Sequence, residues 1–283
     1  MFISIIIRCK NEEEAIGHTL EKIFAQEINI PYEVIIIDSG STDRTLEITQ
    51  QYPVRVFQIS PESFSFGYAL NYGTGRAEGD IIVNISAHCI PVNKKWLAAL
   101  IKPIREGRSD AVYGRQVAIK NMNPFEEVSL NKHFPETEKK GGRIPFSNAN
   151  CAFSKQLWDE LRFDEELPSW EDYLWHFLMK DRYKFTYCPE GAVFHTHPFS
   201  LEAITKRKYI DGRAFGLIKK KYGIDFIEGL YPGLGGKAVF FLSDMKNHLK
   251  VFIRGGYLKY IPLLPIVRFL SYRSYIKGFR SLK

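Results

Sequence analysis

The first ninety residues alternate between short apolar runs and amphipathic segments. A continuous run of four to eight apolar, β-branched residues is typical of a strand that is buried on both faces. Four such runs occupy residues 2–7, 32–37, 54–59 and 80–85. Because strands and helices alternate at this spacing, the pattern predicts a mostly parallel sheet with right-handed crossovers.

The segments between these runs have helical spacing. Asn11 is expected to cap the first helix and Glu12–Glu14 to lie in its first turn, where acidic side chains suit the helix dipole. Ser41 or Thr42 is expected to cap the second helix, and residues 66–77 to form the third.

The second half of the chain continues the pattern less regularly. An amphipathic helix is predicted over residues 93–107, and two further strands around a short helix. The strands cover 148–153 and 185–194, and the helix is centred on 173–179. Residues 120–147 are rich in Asn, Pro, Lys and Gly, which predicts a long mobile loop of the kind that forms lids or acceptor contacts.

After Pro198 the pattern is helical, basic and aromatic. The predicted fold is therefore an α/β domain over residues 1–200, a mostly parallel mixed sheet flanked by helices. A basic helical extension follows over 201–283.

Composition excludes several classes of protein. With 45% hydrophobic and 25% charged residues, the 283-residue chain is not disordered. No apolar run reaches the roughly 18 residues of a membrane-spanning helix. The apolar opening segment has no basic residues before it, so it is predicted to be a strand and not a signal peptide. The four cysteines form no CxxC pair, which favours reduced thiols and a cytoplasmic location.

The net charge of +7 is unevenly distributed. Residues 201–283 contain 17 Lys or Arg against 5 Asp or Glu, whereas the first 200 residues contain 22 against 27. A basic segment of this kind suits nucleic acid, an anionic membrane surface or simple solvation.

Polar residues follow the predicted strand ends, at Arg8–Asn11, Asp38–Asp43 and Ser86–His88. Ligands of parallel sheets bind at the carboxyl ends of the strands. These three segments are therefore the first candidates for a functional site.

Three stretches together resemble the family-2 glycosyltransferases, which have the nucleotide-binding GT-A fold. The first is residues 4–12. The second is residues 34–43, which end in the turn Asp-Ser-Gly-Ser-Thr-Asp. The third consists of the two segments 69–73 and 77–81. The basic turn Arg8-Cys9-Lys10 is similar to that of bacterial rhamnosyltransferase-type members. The resemblance implies a nucleotide-sugar half over about 1–90 and an acceptor half over 91–200.

Seven residues are candidates for binding the nucleotide-sugar donor. Asp38 can accept a hydrogen bond from a uracil or thymine base or hold a ribose hydroxyl, while Arg8 and Lys10 can meet the diphosphate. The alternatives are a simple turn with a helix cap for Asp38–Asp43 and surface solvation for the two cations. The full set is Arg8, Lys10, Asn11, Asp38, Asp43, Asn71 and Ser86.

The metal motif departs from the family pattern. Family members usually carry Asp-x-Asp after the fourth strand, whereas this chain has Ser86-Ala87-His88, which resembles the Asp-x-His variant of animal GalNAc-transferases. The resemblance implies a divalent metal, Mn²⁺ or Mg²⁺, held by His88 with His195 or His197, and imidazole ligands favour Mn²⁺. The alternative is a metal-independent enzyme in which Arg8, Lys10 and basic tail residues neutralise the phosphates.

Ser169-Trp-Glu-Asp-Tyr173 matches the acidic acceptor-site motif of the family. The resemblance implies that Asp172, beside Glu171, is the general base that takes the proton of the acceptor hydroxyl. Trp170 can stack on an acceptor sugar or belong to the core. The alternative role for the two acids is an N-terminal helix cap.

The basic tail interleaves Lys and Arg with Tyr, Phe and Leu. This pattern suits helices lying in an anionic membrane interface, and the alternative is a pair of helices with a solvated basic face. Nucleic-acid binding is the least favoured interpretation, since no recognition motif is present.

The resemblance, together with these residues, therefore implies an inverting glycosyltransferase. It would move a sugar from a UDP- or dTDP-sugar to a hydroxyl of a lipid-linked or polysaccharide acceptor in bacterial envelope glycan synthesis, at the inner face of the cytoplasmic membrane. One alternative is a non-catalytic nucleotide-sugar-binding or scaffold module with a degenerate metal motif. The other is a sugar nucleotidyltransferase, which ranks last because residues 8–12 lack its Gly-rich loop.

Overall fold

The computed structural model describes residues 1–137, 146–226 and 233–282. Eight strands among them form one sheet in the order β3-β2-β1-β4-β7-β6-β8-β5. The strands are β1 Ile3–Cys9, β2 Tyr32–Asp38, β3 Arg55–Gln58, β4 Ile81–Ser86, β5 Ile90–Pro91, β6 Ala111–Val117, β7 Asn150–Ser154 and β8 Phe185–Phe194.

Helices follow most of the strands, and three long ones make up the C-terminal part. They are α1 Ile16–Phe24, α2 Thr45–Thr49, α3 Phe66–Thr74, α4 Trp96–Arg105, α5 Pro124–His133, α6 Lys155–Glu160, α7 Glu171–Met179, α8 Leu201–Tyr222, α9 Gly233–Arg254 and α10 Leu264–Arg280. Two short 3₁₀ helices cover Pro61–Ser63 and Leu258–Leu263. A mixed sheet flanked by helices, with a helical C-terminal part, confirms the predicted fold class.

The chain divides into two compact units. The first comprises residues 1–118, 130–166 and 171–195, and it contains the whole sheet. The second comprises residues 119–129, 167–170 and 196–283.

The apolar runs of the sequence bury both faces of the sheet, as predicted. In β1, Ile5 and Ile7 pack into one cluster with α1 and α4, while Ile6 packs into a second cluster with α3 and α7. Successive side chains of a strand point to opposite faces, so a strand covered by helices on both sides must be apolar throughout.

The strand pairing determines which residues share an edge of the sheet. β3, β2, β1 and β4 run parallel, so their carboxyl ends lie together. β7 runs antiparallel to β4 and pairs Asn150 with Ile85. The beginning of β7 therefore stands beside the carboxyl end of β4, and the residues just before Asn150 join the same edge.

The predicted strands at the four apolar runs and at 148–153 and 185–194 are confirmed, but β5 and β6 were not predicted. Two predicted helix starts are wrong. α1 begins at Ile16, without a side-chain cap, because Asn11 accepts a hydrogen bond from the Thr42 N–H instead. α2 begins at Thr45, whose N–H donates to Asp43.

The prediction of a continuous loop over 120–147 is also wrong, because α5 lies within it. Pro124 is the first helical residue, and the Asn123 Oδ1 accepts a hydrogen bond from the Glu126 N–H. Asn followed by Pro is a helix-start signal as well as a loop signal, which is why composition alone misled. Residues 138–145 of the predicted loop lie outside the described residues.

The second unit is helical, as predicted for the residues after Pro198. α8 and α10 approach closely at glycines, since a Cβ on Gly212 would collide with the Tyr275 carbonyl and one on Gly278 with the Tyr209 carbonyl. Phe252 and Leu264 are buried in its apolar cluster. Among the described residues, none of the helices is long and apolar enough to cross a membrane.

Candidate active site

The turn after β2, residues 38–43, closes around a buried carboxylate. Asp38 is fully buried and accepts hydrogen bonds from the N–H groups of Gly40 (3.1 Å) and Ser41 (3.2 Å) and from the Ser41 hydroxyl. Gly40 has a φ of +87°, a backbone conformation that favours glycine. We call residues 38–43 the Asp38 loop.

The turn after β1 is tied to the Asp38 loop. The Asn11 N–H donates to the Ser41 Oγ (2.9 Å), and the Thr42 N–H donates to the Asn11 Oδ1 (2.8 Å). Asp43 accepts a hydrogen bond from the Glu13 N–H (3.1 Å). Lys10 is exposed in this turn. Predicted donor-site residues from two strand ends are thus brought together.

Arg8 lies between the first and fourth strands at the same edge. It is paired with Ser86 in the register of β1 and β4, and its guanidinium donates to the Ser86 Oγ (3.4 Å). The guanidinium also lies over the Phe66 ring, 4.7 Å from its centroid, in a cation–π contact. Ser86 itself is buried. The cation is therefore held in place by a hydroxyl and an aromatic face.

His88 and His195 face each other at the edge of the sheet. Their Nε2 atoms are 3.2 Å apart. On the far side of each ring, the His88 Nδ1 lies 2.8 Å from the Glu12 Oε1, and the His195 Nδ1 lies 2.6 Å from the Gln116 Oε1. When each Nδ1 carries the hydrogen and donates it to the neighbouring oxygen, both Nε2 lone pairs converge on one point.

Two members of this group were not predicted as site residues. Glu12 belongs to the family-like stretch 4–12, so the sequence carried a signal for it. Gln116 lies on the unpredicted strand β6, and no motif marks it. His197, the alternative partner predicted for His88, belongs to the second unit, where its Nδ1 lies 2.8 Å from the Glu126 Oε1.

Glu171 and Asp172 are the first two residues of α7, as predicted. Asp172 accepts hydrogen bonds from the Asn148 N–H (3.0 Å) and from the Tyr173 N–H (2.8 Å). The Asn148 side-chain amide donates to the Glu171 Oε1 (3.4 Å). Asn148, which was not predicted, therefore positions both acids.

Glu171 is buried, and this changes its protonation. Burial, and to a lesser extent the neighbouring Asp172 carboxylate, raise its pKa from 4.5 to about 7, and the smaller opposing effect of Arg8 does not cancel them. The neutral form of Glu171 is thus populated near physiological pH.

The acid pair belongs to the same sheet edge as Arg8 and Ser86. The Ser86 N–H donates to the carbonyl of Ala149 (3.2 Å), and the Asn84 amide donates to the Asn148 Oδ1 (3.2 Å). The carboxyl end of β4 is therefore linked through residues 148 and 149 to the acids of α7.

Two predicted residues lie elsewhere. The buried Asn71, on α3, hydrogen-bonds the backbone of Phe163, the Glu165 carboxylate and the Trp158 indole. Trp170 belongs to the second unit, where its indole N–H donates to the Asp211 Oδ1 (2.9 Å) and its ring packs edge-on against Phe215.

Cys9, at the carboxyl end of β1, is poorly suited to act as a nucleophile. Burial and the adjacent Asp38 carboxylate raise the pKa of its thiol, and the thiolate is the reactive form. The chemistry available at this edge therefore comes from carboxylates, imidazoles and the Arg8 guanidinium.

The profile of Glycosyl transferase family 2 matches residues 4–160, more than half of the chain. The chain belongs to this family.

Individual relatives extend the similarity to most of the chain. The O-antigen chain rhamnosyltransferase WbaN of Salmonella anatum is 27% identical over 268 residues, which cover 90% of this chain and 82% of the relative. A dolichyl N-acetyl-alpha-D-glucosaminyl phosphate 3-beta-D-2,3-diacetamido-2,3-dideoxy-beta-D-glucuronosyltransferase of Methanococcus voltae is 35% identical over 272 residues, 89% of this chain and 84% of the relative.

Among solved structures, the mannosyltransferase PcManGT from Pyrobaculum calidifontis, in complex with GDP-Man and Mn²⁺, is similar with a TM-score of 0.58. It is 18% identical, and the match covers 99% of this chain and 82% of that chain. This likeness shows the predicted GT-A-like fold.

Proposed function

We propose that this chain is an inverting glycosyltransferase that moves a sugar from a UDP- or dTDP-sugar to a hydroxyl of a lipid-linked or polysaccharide acceptor in bacterial envelope glycan synthesis. The observation that carries the proposal is that Arg8, the Asp38 loop and the Glu171–Asp172 pair share one edge of one sheet. A transferase of this kind needs a donor site and a base within reach of the same sugar carbon.

The donor binds along the carboxyl ends of β1, β2 and β4. Asp38 contacts the nucleoside, and Asn11 and Asp43 keep its loop in shape. Arg8 and the exposed Lys10 neutralise the diphosphate, with Ser86 orienting the Arg8 guanidinium. Asn71 supports the site indirectly, because its side-chain amide donates hydrogen bonds to the Phe163 carbonyl and the Glu165 carboxylate.

Asp172 is the general base. As the acceptor hydroxyl attacks the anomeric carbon, its proton passes to a carboxylate oxygen, and the bond from that carbon to the diphosphate breaks. The N–H groups of Asn148 and Tyr173 fix the orientation of the carboxylate. Glu171 positions the pair through the Asn148 side chain.

His88 and His195 fit a divalent metal, and Mn²⁺ suits two imidazoles better than Mg²⁺ does. Each ring has an oxygen partner on its Nδ1, and this is how proteins orient metal-ligating histidines. When bound, such an ion neutralises charge on the leaving diphosphate. His197 is the further candidate from the sequence.

The acceptor side is assigned from chemistry and from the relatives' names. Trp170 offers an aromatic face for an acceptor sugar. Relatives named for O-antigen chains and for a dolichyl-linked sugar phosphate favour a lipid-linked glycan. A lipid-linked acceptor brings the enzyme to the inner face of the cytoplasmic membrane, and no nucleic-acid partner is proposed.

The test follows release of nucleoside diphosphate from a panel of UDP- and dTDP-sugars, with and without Mn²⁺. The sugar that is turned over is then used for the variants. Asp172→Asn should reduce turnover by roughly 10²–10⁴-fold, the usual contribution of a general base, and leave donor affinity unchanged.

Asp159→Asn is the matched control, since Asp159 is an exposed acid on α6. It should keep wild-type turnover. Near-normal turnover of Asp172→Asn would remove Asp172 from the mechanism, and turnover of no sugar in the panel by the wild-type enzyme would contradict the proposed donor class.

A further inference from the structure

Exposed apolar side chains are concentrated in the basic part of the chain. Among the described residues, eight of the thirteen large exposed apolar side chains lie after residue 200. Four of them follow one another at intervals of three residues, leading into and along α10. These four, which we call the outer ridge, are Leu263, Ile266, Phe269 and Tyr272.

The middle of the outer ridge points away from the buried face of α10. Leu264, Val267 and Ser271 are buried, whereas Ile266 and Phe269 expose 51% and 62% of their surface. With 100° between successive helical residues, Ile266 and Phe269 lie on the side away from the three buried residues, and Leu263 and Tyr272 lie on either flank. The ridge is thus not the edge of a packed core, and side chains three apart on a helix are neighbours that form a continuous apolar strip.

Cations accompany the ridge, and acids do not. The sequence from residue 245 to the end contains nine Lys or Arg and neither Asp nor Glu. On α10, Arg268 pairs with the buried Asp244. Arg273, Lys277 and Arg280 lie on the outer side, and within the described part of the chain they form no ion pair.

We propose that the outer ridge of α10 inserts into the interface of an anionic lipid membrane, with Arg273, Lys277 and Arg280 at the level of the lipid head groups. A helix lying in an interface presents bulky apolar side chains to the acyl region and Lys or Arg to the phosphates. The inference deepens the proposed function, on which its membrane setting rests, by naming the surface that holds the enzyme there.

Charge favours a membrane over a second copy of the chain. If two copies paired through this face, the interface would enclose Arg273, Lys277 and Arg280 of both copies, and residues 245–283 supply no acid to neutralise them. An anionic leaflet instead supplies phosphates all along the helix, and each Lys or Arg near its surface strengthens binding.

The experiment measures co-sedimentation of the full chain with phosphatidylglycerol–phosphatidylcholine vesicles and with pure phosphatidylcholine vesicles. The wild type should bind the anionic vesicles, and more weakly at high salt. The double variant Ile266→Ser, Phe269→Ser should lose at least about tenfold in affinity, since two bulky side chains no longer enter the lipid. Arg273→Gln and Lys277→Gln should each cost about fivefold.

Leu178→Ser is the matched control, because Leu178 is an exposed apolar residue on α7. It should bind vesicles like the wild type. Thermal unfolding and nucleotide-sugar turnover without vesicles should be unchanged in the ridge variants, so that failure here is separate from failure of the proposed function. Equal binding to pure phosphatidylcholine, or unchanged binding of the double variant, would overturn the proposal.

Size-exclusion chromatography tests the alternative that a second copy of the chain covers the outer ridge. The wild type and the ridge variants should elute alike. A wild-type dimer that the double variant converts to a monomer would assign the ridge to self-association and reject the membrane proposal.

Discussion

Asp38 and Glu171 are both buried carboxyl groups at the same sheet edge, but their surroundings differ. Asp38 accepts hydrogen bonds from two N–H groups and a hydroxyl of its own turn. Glu171 receives a 3.4 Å hydrogen bond from the Asn148 amide and stands next to a second acid, Asp172. Asp38 is therefore surrounded by hydrogen-bond donors, whereas Glu171 lies beside a second acidic group.

The comparison separates two ways of using a buried acid. Hydrogen-bond donors aimed at a carboxylate satisfy its oxygens and fix the surrounding backbone, whereas burial beside another acid favours the neutral form. Asp38 is the acceptor around which its loop closes. Glu171 is a group whose protonation changes near neutral pH, which distinguishes the proposed catalytic side from the donor side.

The largest expected effect comes from removing the Asp38 carboxylate. Asp38→Ala leaves the Gly40 N–H, the Ser41 N–H and the Ser41 hydroxyl without their acceptor. Since hydrogen bonds to a buried charge are worth about 1.5–3 kcal/mol, we expect the free energy of unfolding in urea to fall by about 3 kcal/mol.

Asp43→Ala is the comparator from the same loop. Asp43 accepts hydrogen bonds from Glu13 and Thr45, but it is only half-buried, so water replaces part of what is removed and the loss should be about 1 kcal/mol. Equal losses for the two variants would mean that burial of Asp38 does not set its importance.

The next effect in size concerns Glu171 and pH. Its pKa is about 7 in the folded protein against 4.5 ordinarily, so the folded state loses stability as pH rises from about 4.5 to about 7. Glu171→Gln removes this dependence. The variant should match the wild type near pH 4.5 and be more stable by on the order of 2 kcal/mol at pH 8.

Thermal unfolding from pH 4.5 to pH 8 measures the difference, with Glu62→Gln, at an exposed acid, as the control. A difference between the wild type and Glu171→Gln that stays constant over this range would show that Glu171 ionises like an ordinary surface acid.

The sequence predicted those parts of the site that are local. The Asp38 loop is built from consecutive residues whose turn chemistry is visible in Asp-Ser-Gly-Ser-Thr-Asp, and the buried strands are visible as apolar runs. The acids of α7 are likewise adjacent in the chain. These features need no knowledge of how distant segments pair.

The remaining parts depend on contacts between distant segments. His88 and His195 are 107 residues apart, and the oxygen on each Nδ1 comes from a further element, Glu12 before α1 and Gln116 on β6. Asn148 became part of the site only through the pairing of β7 with β4. The start of α1 was mispredicted for the same reason, because Asn11 bonds to a loop 31 residues away.

A smaller effect is expected for metal affinity. Unlike the two buried carboxyl groups, the imidazoles of His88 and His195 are oriented by side-chain oxygens of Glu12 and Gln116. His195→Ala should weaken Mn²⁺ binding in the presence of UDP by at least about tenfold, and Gln116→Ala by about tenfold through loss of ring orientation. Calorimetric titration of Mn²⁺ measures both, and His197→Ala tests the alternative ligand.

Removal of the metal with a chelator should lower nucleotide-sugar turnover, and added Mn²⁺ should restore it. Full activity after chelation, with unchanged titration of His195→Ala, would favour the metal-independent alternative in which Arg8, Lys10 and basic tail residues neutralise the phosphates.

The smallest effect is expected for substitutions of Asn11, which ties the turn after β1 to the Asp38 loop and has a φ of +53°. Asn11→Gly keeps the left-handed backbone without strain but loses the hydrogen bond from the Thr42 N–H, an expected loss of about 0.5–1 kcal/mol in unfolding free energy. Asn11→Ala loses the same bond and must also hold a Cβ in that conformation, which costs about 1 kcal/mol more. Urea unfolding of the two variants therefore separates the side-chain contribution from the backbone one. If alanine and glycine are equally stable at position 11, the left-handed turn does not constrain the loop, and Asn11 contributes through its amide alone.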